Sequence, residues 1–189
     1  KSGKSDALFI VDLKTNKKNK HRLNMEGIFR PSWRPGYNEI AFIGNNGKSS
    51  DIYIYNIETK KLINLTQDWF TDDQISWHPD GNSIYFISDR GNTLETGIIN
   101  KPKGHHVYQT DIYSLEIKSG IIKRLTESDH NELYPSISND GHMLAFISDE
   151  SGINNIYLQE IGEANAKPIT NIITGITQLS WNADNSQLI

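Results

Sequence analysis

The sequence contains no cysteine. This absence excludes disulfide bonds, thiolate metal sites and cysteine nucleophiles, and it leaves the redox compartment undetermined. Long apolar runs are also missing, so no segment approaches the roughly 20 apolar residues of a membrane-spanning helix. The net charge is -4, with 19 basic and 23 acidic side chains, which argues against a nucleic-acid-binding surface. The composition, 36% hydrophobic and 22% charged, is typical of a folded globular protein.

Local motifs of several enzyme classes are missing as well. Neither the Gly-x-Ser-x-Gly elbow of serine hydrolases nor the His-Glu-x-x-His motif of zinc peptidases occurs. Two Gly-Lys-Ser strings, at residues 3–5 and 47–49, are each followed by a predicted strand instead of the helix that a phosphate loop requires. We therefore predict no catalytic residue, no metal site and no cofactor.

What the chain does contain is one short phrase written four times. Its clearest version is Ile-Ser-Trp-His-Pro-Asp-Gly at residues 75–81. The four anchor serines of the phrase are Ser32, Ser76, Ser136 and Ser180. Their spacings are 44, 60 and 44 residues, and a fixed period in this range indicates a repeat architecture. Most of the recurring residues are therefore predicted to build a scaffold.

Each anchor serine begins a predicted unit of four short strands. A tight turn such as Pro79–Asn82 follows the anchor, and its Asp-Gly pair favours a hairpin. An apolar strand comes next, then a third strand that starts with Asp-Ile-Tyr or Asn-Ile-Tyr, and a fourth that ends in Leu-Thr or Ile-Thr. With no helical periodicity, this pattern predicts an all-β fold, a β-propeller of four-stranded antiparallel blades. A β-sandwich is the competing all-β fold, but it does not predict near-identical repeats.

We interpret residues 1–189 as a single β-propeller region with three complete blades and two half blades. The predicted units are a partial blade 1–25, blades 26–66, 67–126 and 127–170, and a partial blade 171–189. The second blade carries an insertion of 16 residues within the range 92–108, because Phe86 and Asp111 are 25 residues apart where the equivalent pairs are 9 apart.

The two half blades leave the closure of the ring open. They could together close a four-bladed ring. Alternatively, they are the edges of a larger propeller of roughly six to eight blades. The second alternative is favoured because both ends of the sequence break off within a unit.

The best-matching repeat resembles that of a known family. The phrase Ser-x-x-Pro-Asp-Gly-x-x-Ile-x-Phe-x-Ser-Asp-x-Gly runs from Ser76 to Gly91, and Asp-Ile-Tyr and Leu-Thr follow at residues 111–113 and 125–126. It resembles the repeat of TolB-type propellers, and related repeats occur in prolyl oligopeptidase-like proteins and oligogalacturonate lyases. The resemblance implies a non-catalytic scaffold for protein or peptide binding, in the periplasm or outside a bacterial cell. Its alternative implication is the propeller domain of a larger enzyme, such as a serine hydrolase whose catalytic domain lies outside these residues.

Blade topology predicts where a partner would bind. The loops after the second and fourth strands emerge on one face, and the inter-blade loops lead into the innermost strands that line the channel. Binding residues commonly lie on loops over a rigid scaffold. The predicted binding residues, at the channel-mouth rim and in the insertion, are Arg30, Trp69, Asp72, Asp73, His105, His106, His130, Glu132 and Tyr134.

The four tryptophans separate into two groups. Trp33, Trp77 and Trp181 recur at one repeat position and are predicted to pack between blades, whereas Trp69 is off the pattern and a candidate for an exposed contact. The resemblance to the lyases implies a carbohydrate or metal ion in the channel, and a metal enzyme of that class has several histidines converging on the axis. Only His130 lies near an inter-blade loop, so that alternative has little support.

Overall fold

A computed structural model describes residues 6–47, 49–98, 100 and 107–189. Within these ranges the chain folds into fourteen β-strands and no helix, and so no helix there could cross a membrane. In chain order the strands are β1 (Asp6–Val11), β2 (Lys18–Met25), β3 (Gly27–Trp33), β4 (Glu39–Asn45), β5 (Ser50–Asn56), β6 (Leu62–Asn64), β7 (Asp72–Trp77), β8 (Ser83–Ser88), β9 (Asp111–Glu116), β10 (Ile122–Arg124), β11 (Glu132–Ile137), β12 (Met143–Ser148), β13 (Asn155–Glu160) and β14 (Lys167–Pro168).

Twelve of these strands form three antiparallel sheets of four, each in chain order: β3–β6, β7–β10 and β11–β14. We call them the first, second and third blades. Strands β1 and β2 pair as a separate hairpin before the first blade. The predicted all-β propeller of four-stranded blades is confirmed.

The apolar cores lie between sheets and not inside any one of them. At the first junction, Ile43 and Ile54 of the first blade pack with Phe86 of the second. At the second junction, Ile112 of the second blade packs with Phe146 of the third. The second strand of each blade is therefore buried on both faces, which explains its continuous apolar run.

Repeated polar side chains connect the third strand of a blade to the end of its fourth strand and to the loop that follows. The threonine of the Leu-Thr or Ile-Thr motif accepts a hydrogen bond from a third-strand backbone amide. The pairs are Thr66 with Ile52 at 3.1 Å, Thr126 with Ile112 at 2.8 Å and Thr170 with Ile156 at 2.8 Å. The carboxylate of Asp51, which starts the third strand, accepts a bond from the Asp68 amide in the following loop at 3.2 Å.

The repeated tryptophans lie between blades, as predicted, where a neighbouring first strand is present. The Nε1 of Trp77 donates to the carbonyl of Ser32 at 3.5 Å, and the Nε1 of Trp181 donates to that of Ser136 at 3.1 Å. Trp33 differs, with 52% of its surface exposed. In the part of the chain that the structure describes, the sheet before it consists of β1 and β2, so no first strand there covers its ring.

The sheets do not close into a ring. Among the described residues, β1 and β2 pair only with each other. The last residues form a short hairpin in which Ser180 and Ile189 exchange backbone hydrogen bonds of 2.9 and 3.0 Å. This hairpin contacts the third blade through Trp181. The four-bladed ring is therefore not formed, and the architecture is that of a partial propeller.

Turns on the opposite face from the inter-blade loops also link neighbouring blades. Arg34 donates through Nε to the carbonyl of Gly81 at 2.7 Å. At the equivalent position one blade later, the Nε2 of His78 lies 3.2 Å from the carbonyl of Gly141. His78 is thus partly buried as a contact between blades.

The position of the tryptophans predicts unequal effects of their removal. Replacing Trp77, which is 9% exposed, with Ala should lower the free energy of unfolding by about 3–5 kcal/mol, as for other buried aromatic residues. Trp33→Ala is the matched control and should lower it by less than about 1 kcal/mol because that ring is exposed. Urea denaturation of both variants measures the difference. Equal losses would contradict the inter-blade assignment of Trp77.

Candidate functional site

The first strand of every blade contains an irregularity at the same place. The register shifts between Phe29 and Ser32 in β3, and at the equivalent steps in β7 and β11. At each shift a residue two positions before the anchor serine takes a positive φ: 50° at Arg30, 54° at Gln74 and 53° at Tyr134. This conformation is unfavourable for residues other than glycine, and such a bulge turns its side chain in a new direction.

These three residues converge from three blades. The guanidinium of Arg30 lies 5.8 Å from the ring centre of Tyr134, although one blade separates them. Arg30 Nε donates to Asp73 Oδ1 at 2.8 Å, and the amide of Tyr134 donates to Gln74 Oε1 at 2.5 Å. We call Arg30, Asp73, Gln74 and Tyr134 the channel mouth, because first strands meet only around the axis of a propeller.

The channel mouth is open to solvent. The side chains of Arg30 and Asp73 are 43% and 38% exposed. An ion pair this exposed contributes at most about 1 kcal/mol to stability. A partner could therefore separate the two charges with little loss to the fold.

A second polar cluster lies inside the first junction, around Arg90. This buried guanidinium approaches Asp72 Oδ1 at 2.6 Å and Asp68 Oδ2 at 3.2 Å. Its Nε donates to Ser88 Oγ at 3.0 Å. Burial raises the pKa of Asp68 to about 7, with the charge of Asp72 adding to the rise and Arg90 opposing it. Burial likewise raises the pKa of Asp72 against the opposing effect of Arg90.

Three carboxylates of this cluster, those of Asp51, Asp68 and Asp72, have oxygens within 4.8 Å of one another. Such a grouping has the donor type that divalent cations prefer. Here the guanidinium of Arg90 already contacts two of the three. We therefore assign the cluster to the packing of the junction.

Comparison with known proteins identifies the fold family. A family model described as the TolB beta propeller domain matches residues 2–96, just over half of the chain. The chain belongs to the TolB-type β-propeller family. A second family model, the N-terminal region of dipeptidyl peptidase IV, matches residues 78–182 of this TolB-type propeller. No curated protein matches the sequence significantly.

Solved structures show the same fold at low identity. TolB from Acinetobacter baumannii is 21% identical with a TM-score of 0.71, over 96% of this chain and 42% of that one. An oligogalacturonate lyase in complex with manganese is 16% identical with a TM-score of 0.68, over 94% and 48%. Puromycin hydrolase is 10% identical with a TM-score of 0.61, over 84% and 24%. This TolB-type chain thus spans less than half the length of each.

Within the TolB-type scaffold, the predicted site residues separate into two environments. Arg30, Asp73 and Tyr134 meet at the channel mouth, together with Gln74, which the sequence interpretation missed although it shares the repeat position of Arg30 and Tyr134. Asp72 and Glu132 were expected on the rim, but the structure buries them, at 0% and 3% exposure. Successive side chains of a strand point to opposite faces, so Asp73 faces the channel while Asp72 points into the junction.

The other predicted residues lie apart from this group. Trp69 is exposed and lines a groove of 560 Å³ with Asp51 and Asp68. The ring of His130 is partly exposed, with Nδ1 3.8 Å from Asp149 Oδ1. His105 and His106 fall outside the described residues.

Glu132 occupies the position in the third blade that Asp72 occupies in the second. Its Oε1 accepts a hydrogen bond from Ser128 Oγ at 2.6 Å, and its Oε2 has no hydrogen-bond partner among the described residues. Burial raises the pKa of Glu132 to about 7, opposed by the Ser128 hydrogen bond and assisted by the charge of Asp111. The carboxyl is therefore partly protonated near neutral pH.

This raised pKa predicts a pH-dependent contribution to stability. Because the folded state holds the proton of Glu132 more tightly than the unfolded state, its contribution is full below about pH 4.5 and is lost as the pH rises through about 7. Glu132→Gln mimics the protonated form. Its free energy of unfolding should therefore rise by roughly 2–3 kcal/mol relative to that of the native protein between pH 4.5 and 8. Urea denaturation across this range measures it, with the exposed Glu127→Gln as control. A constant difference between variant and native protein would contradict the burial effect.

Proposed function

We propose that this chain is a non-catalytic propeller scaffold that binds a protein or peptide at its channel mouth, in the envelope of a bacterial cell. The observation that carries the proposal is the convergence of Arg30, Gln74 and Tyr134 from three blades. A positive φ at all three positions directs different side chains to one place.

The chemistry of the channel mouth suits a polypeptide. Arg30 and Asp73 offer one charge of each sign, Gln74 offers an amide, and Tyr134 offers a ring with a hydroxyl. Arginine and tyrosine are enriched among the residues that contribute most to protein–protein binding. Membership of the TolB-type family supports a protein or peptide partner and a location in the bacterial envelope.

A peptide selection tests this proposal. Peptides enriched from a phage-displayed random library on the native protein should lose at least about tenfold in affinity for Arg30→Glu and for Tyr134→Ala, since each variant removes a side chain at the point of convergence. Fluorescence anisotropy with the synthesised peptides gives the affinities. Lys118→Glu is the matched charge reversal, because this exposed residue lies in the β9–β10 turn on the opposite face. Enriched peptides that bind all variants equally would refute the channel mouth as the site.

A second candidate function is the propeller domain of a larger enzyme of the prolyl oligopeptidase type. The match of residues 78–182 to the N-terminal region of dipeptidyl peptidase IV favours it, as does the fold similarity to puromycin hydrolase. If this candidate is right, the full-length natural polypeptide should react with a fluorophosphonate probe at a serine outside residues 1–189. Mass spectrometry of the labelled peptide locates that serine. The absence of labelling would leave the scaffold as the supported function.

A further inference from the structure

The second and third blades have equivalent residues around one position but fill that position differently. In the second blade, Arg90 approaches Asp72, Asp68 and Ser88. Its guanidinium also lies 5.3 Å from the ring centre of Phe86 and 5.7 Å from that of Tyr113. Counting from the anchor serines, with the 16-residue insertion of the second blade left out, the counterparts of these five residues in the third blade are Glu132, Ser128, Ser148, Phe146 and Tyr157. The counterpart of Arg90 is Glu150, an exposed residue.

A cavity lies where the guanidinium would be. It has a volume of 570 Å³, and all five counterparts line it, together with Glu150. The positions that surround Arg90 in one blade thus line the cavity in the next blade, with Glu132 in place of Asp72 and Ser128 in place of Asp68, and with open space among them. Exposed lining residues such as Glu127 and Ala164 show that the cavity reaches the surface.

The charge of this cavity is unbalanced. Glu132 is 3% exposed, and within the described part of the chain its Oε2 has no hydrogen-bond partner. The basic lining residue Arg124 is already paired, at 2.8 Å with Asp111 Oδ2 and at 3.1 Å with Glu127 Oε1. Among the described residues, no basic side chain forms an ion pair with Glu132. A buried carboxylate without a cationic partner is unfavourable, so a cation entering the cavity would be stabilised.

The lining selects among cations. A carboxylate next to two serine hydroxyls accepts several N–H groups, which matches the planar donor fork of a guanidinium. The stacked rings of Phe146 and Tyr157, with centres 5.8 Å apart, add faces on which a guanidinium is attracted. A divalent metal ion is disfavoured because, within the described residues, no three carboxylates of this lining come close enough together to share one.

We propose that the cavity at the second junction is a binding site for the guanidinium group of an arginine side chain in a ligand, held by Glu132 as Arg90 is held by Asp72. The site is separate from the channel mouth. It therefore does not depend on the proposed function, and its test can fail while that function stands.

Three small probes of matched shape test the proposal. Nα-acetyl-arginine methylamide should bind to the native protein in isothermal titration calorimetry, and the neutral citrulline counterpart should bind at least about tenfold more weakly because it lacks the charge. The lysine counterpart should also bind more weakly, because an ammonium group cannot form the planar fork. Equal binding of the citrulline or lysine probe would overturn the assignment to a guanidinium.

Two variants locate the site. Glu132→Gln should weaken binding of the arginine probe at least about tenfold. Glu150→Arg should block that binding, because the new arginine side chain would place its own guanidinium group in the cavity. Glu116→Gln and Glu116→Arg, at an exposed residue outside the cavity, are the matched controls and should bind as the native protein does. If Glu132→Gln fails to fold, Glu150→Arg still decides, because it changes no buried residue. Unchanged binding to Glu150→Arg, or no binding of the arginine probe to the native protein, would overturn the proposal.

Discussion

Face-to-face packing of the sheets is the constraint on which the rest of this structure depends. A four-stranded blade buries its middle strands only when a neighbour covers each face, and the cores of this chain lie between blades. The exposure of Trp33 beside the burial of Trp77 shows the consequence at a single repeat position. The hydrogen bond from Trp77 to Ser32 exists because one first strand lies against the next. Stability in this fold is thus a property of pairs of blades.

The same constraint leaves a space at the end of the second strand of each blade, where it faces the preceding sheet. Before the first blade, Met25 fills this space, and a Cβ on Gly44 would come within 2.7 Å of its sulfur. In the first junction Arg90 fills it and needs two carboxylates, because a buried charge without partners is costly. In the second junction Glu132 keeps the carboxylate without the arginine. The same geometry is therefore completed by an apolar side chain before the first blade, by an ion pair at the first junction, and by a cavity at the second.

The fold could be read from the sequence because its signals are local and repeated. The Asp-Gly turn after Ser76 forms within a few residues. Thr66, at the end of the first blade, bonds to a strand of the same sheet. The site could be predicted only in part. Asp73 and Tyr134 were found from their place before the anchors, but the burial of Asp72 required the strand register, which a bulge shifts. Arg90 was missed because its partners come from across a junction, and no short pattern encodes such contacts.

Differences between equivalent positions therefore carry more information about function than the shared motif does. The backbone at Arg30, Gln74 and Tyr134 has the same positive φ, so the scaffold sets where each side chain points and leaves its chemistry free. An unfavourable conformation that recurs in three blades belongs to the architecture, since no single ligand would require it at all three. The unlike side chains at those points do not build the blade. Position 90 and its counterpart 150 follow the same logic, with arginine at one and glutamate at the other over a common set of neighbours. In this propeller the repeat fixes the geometry, and departures from it determine what can bind.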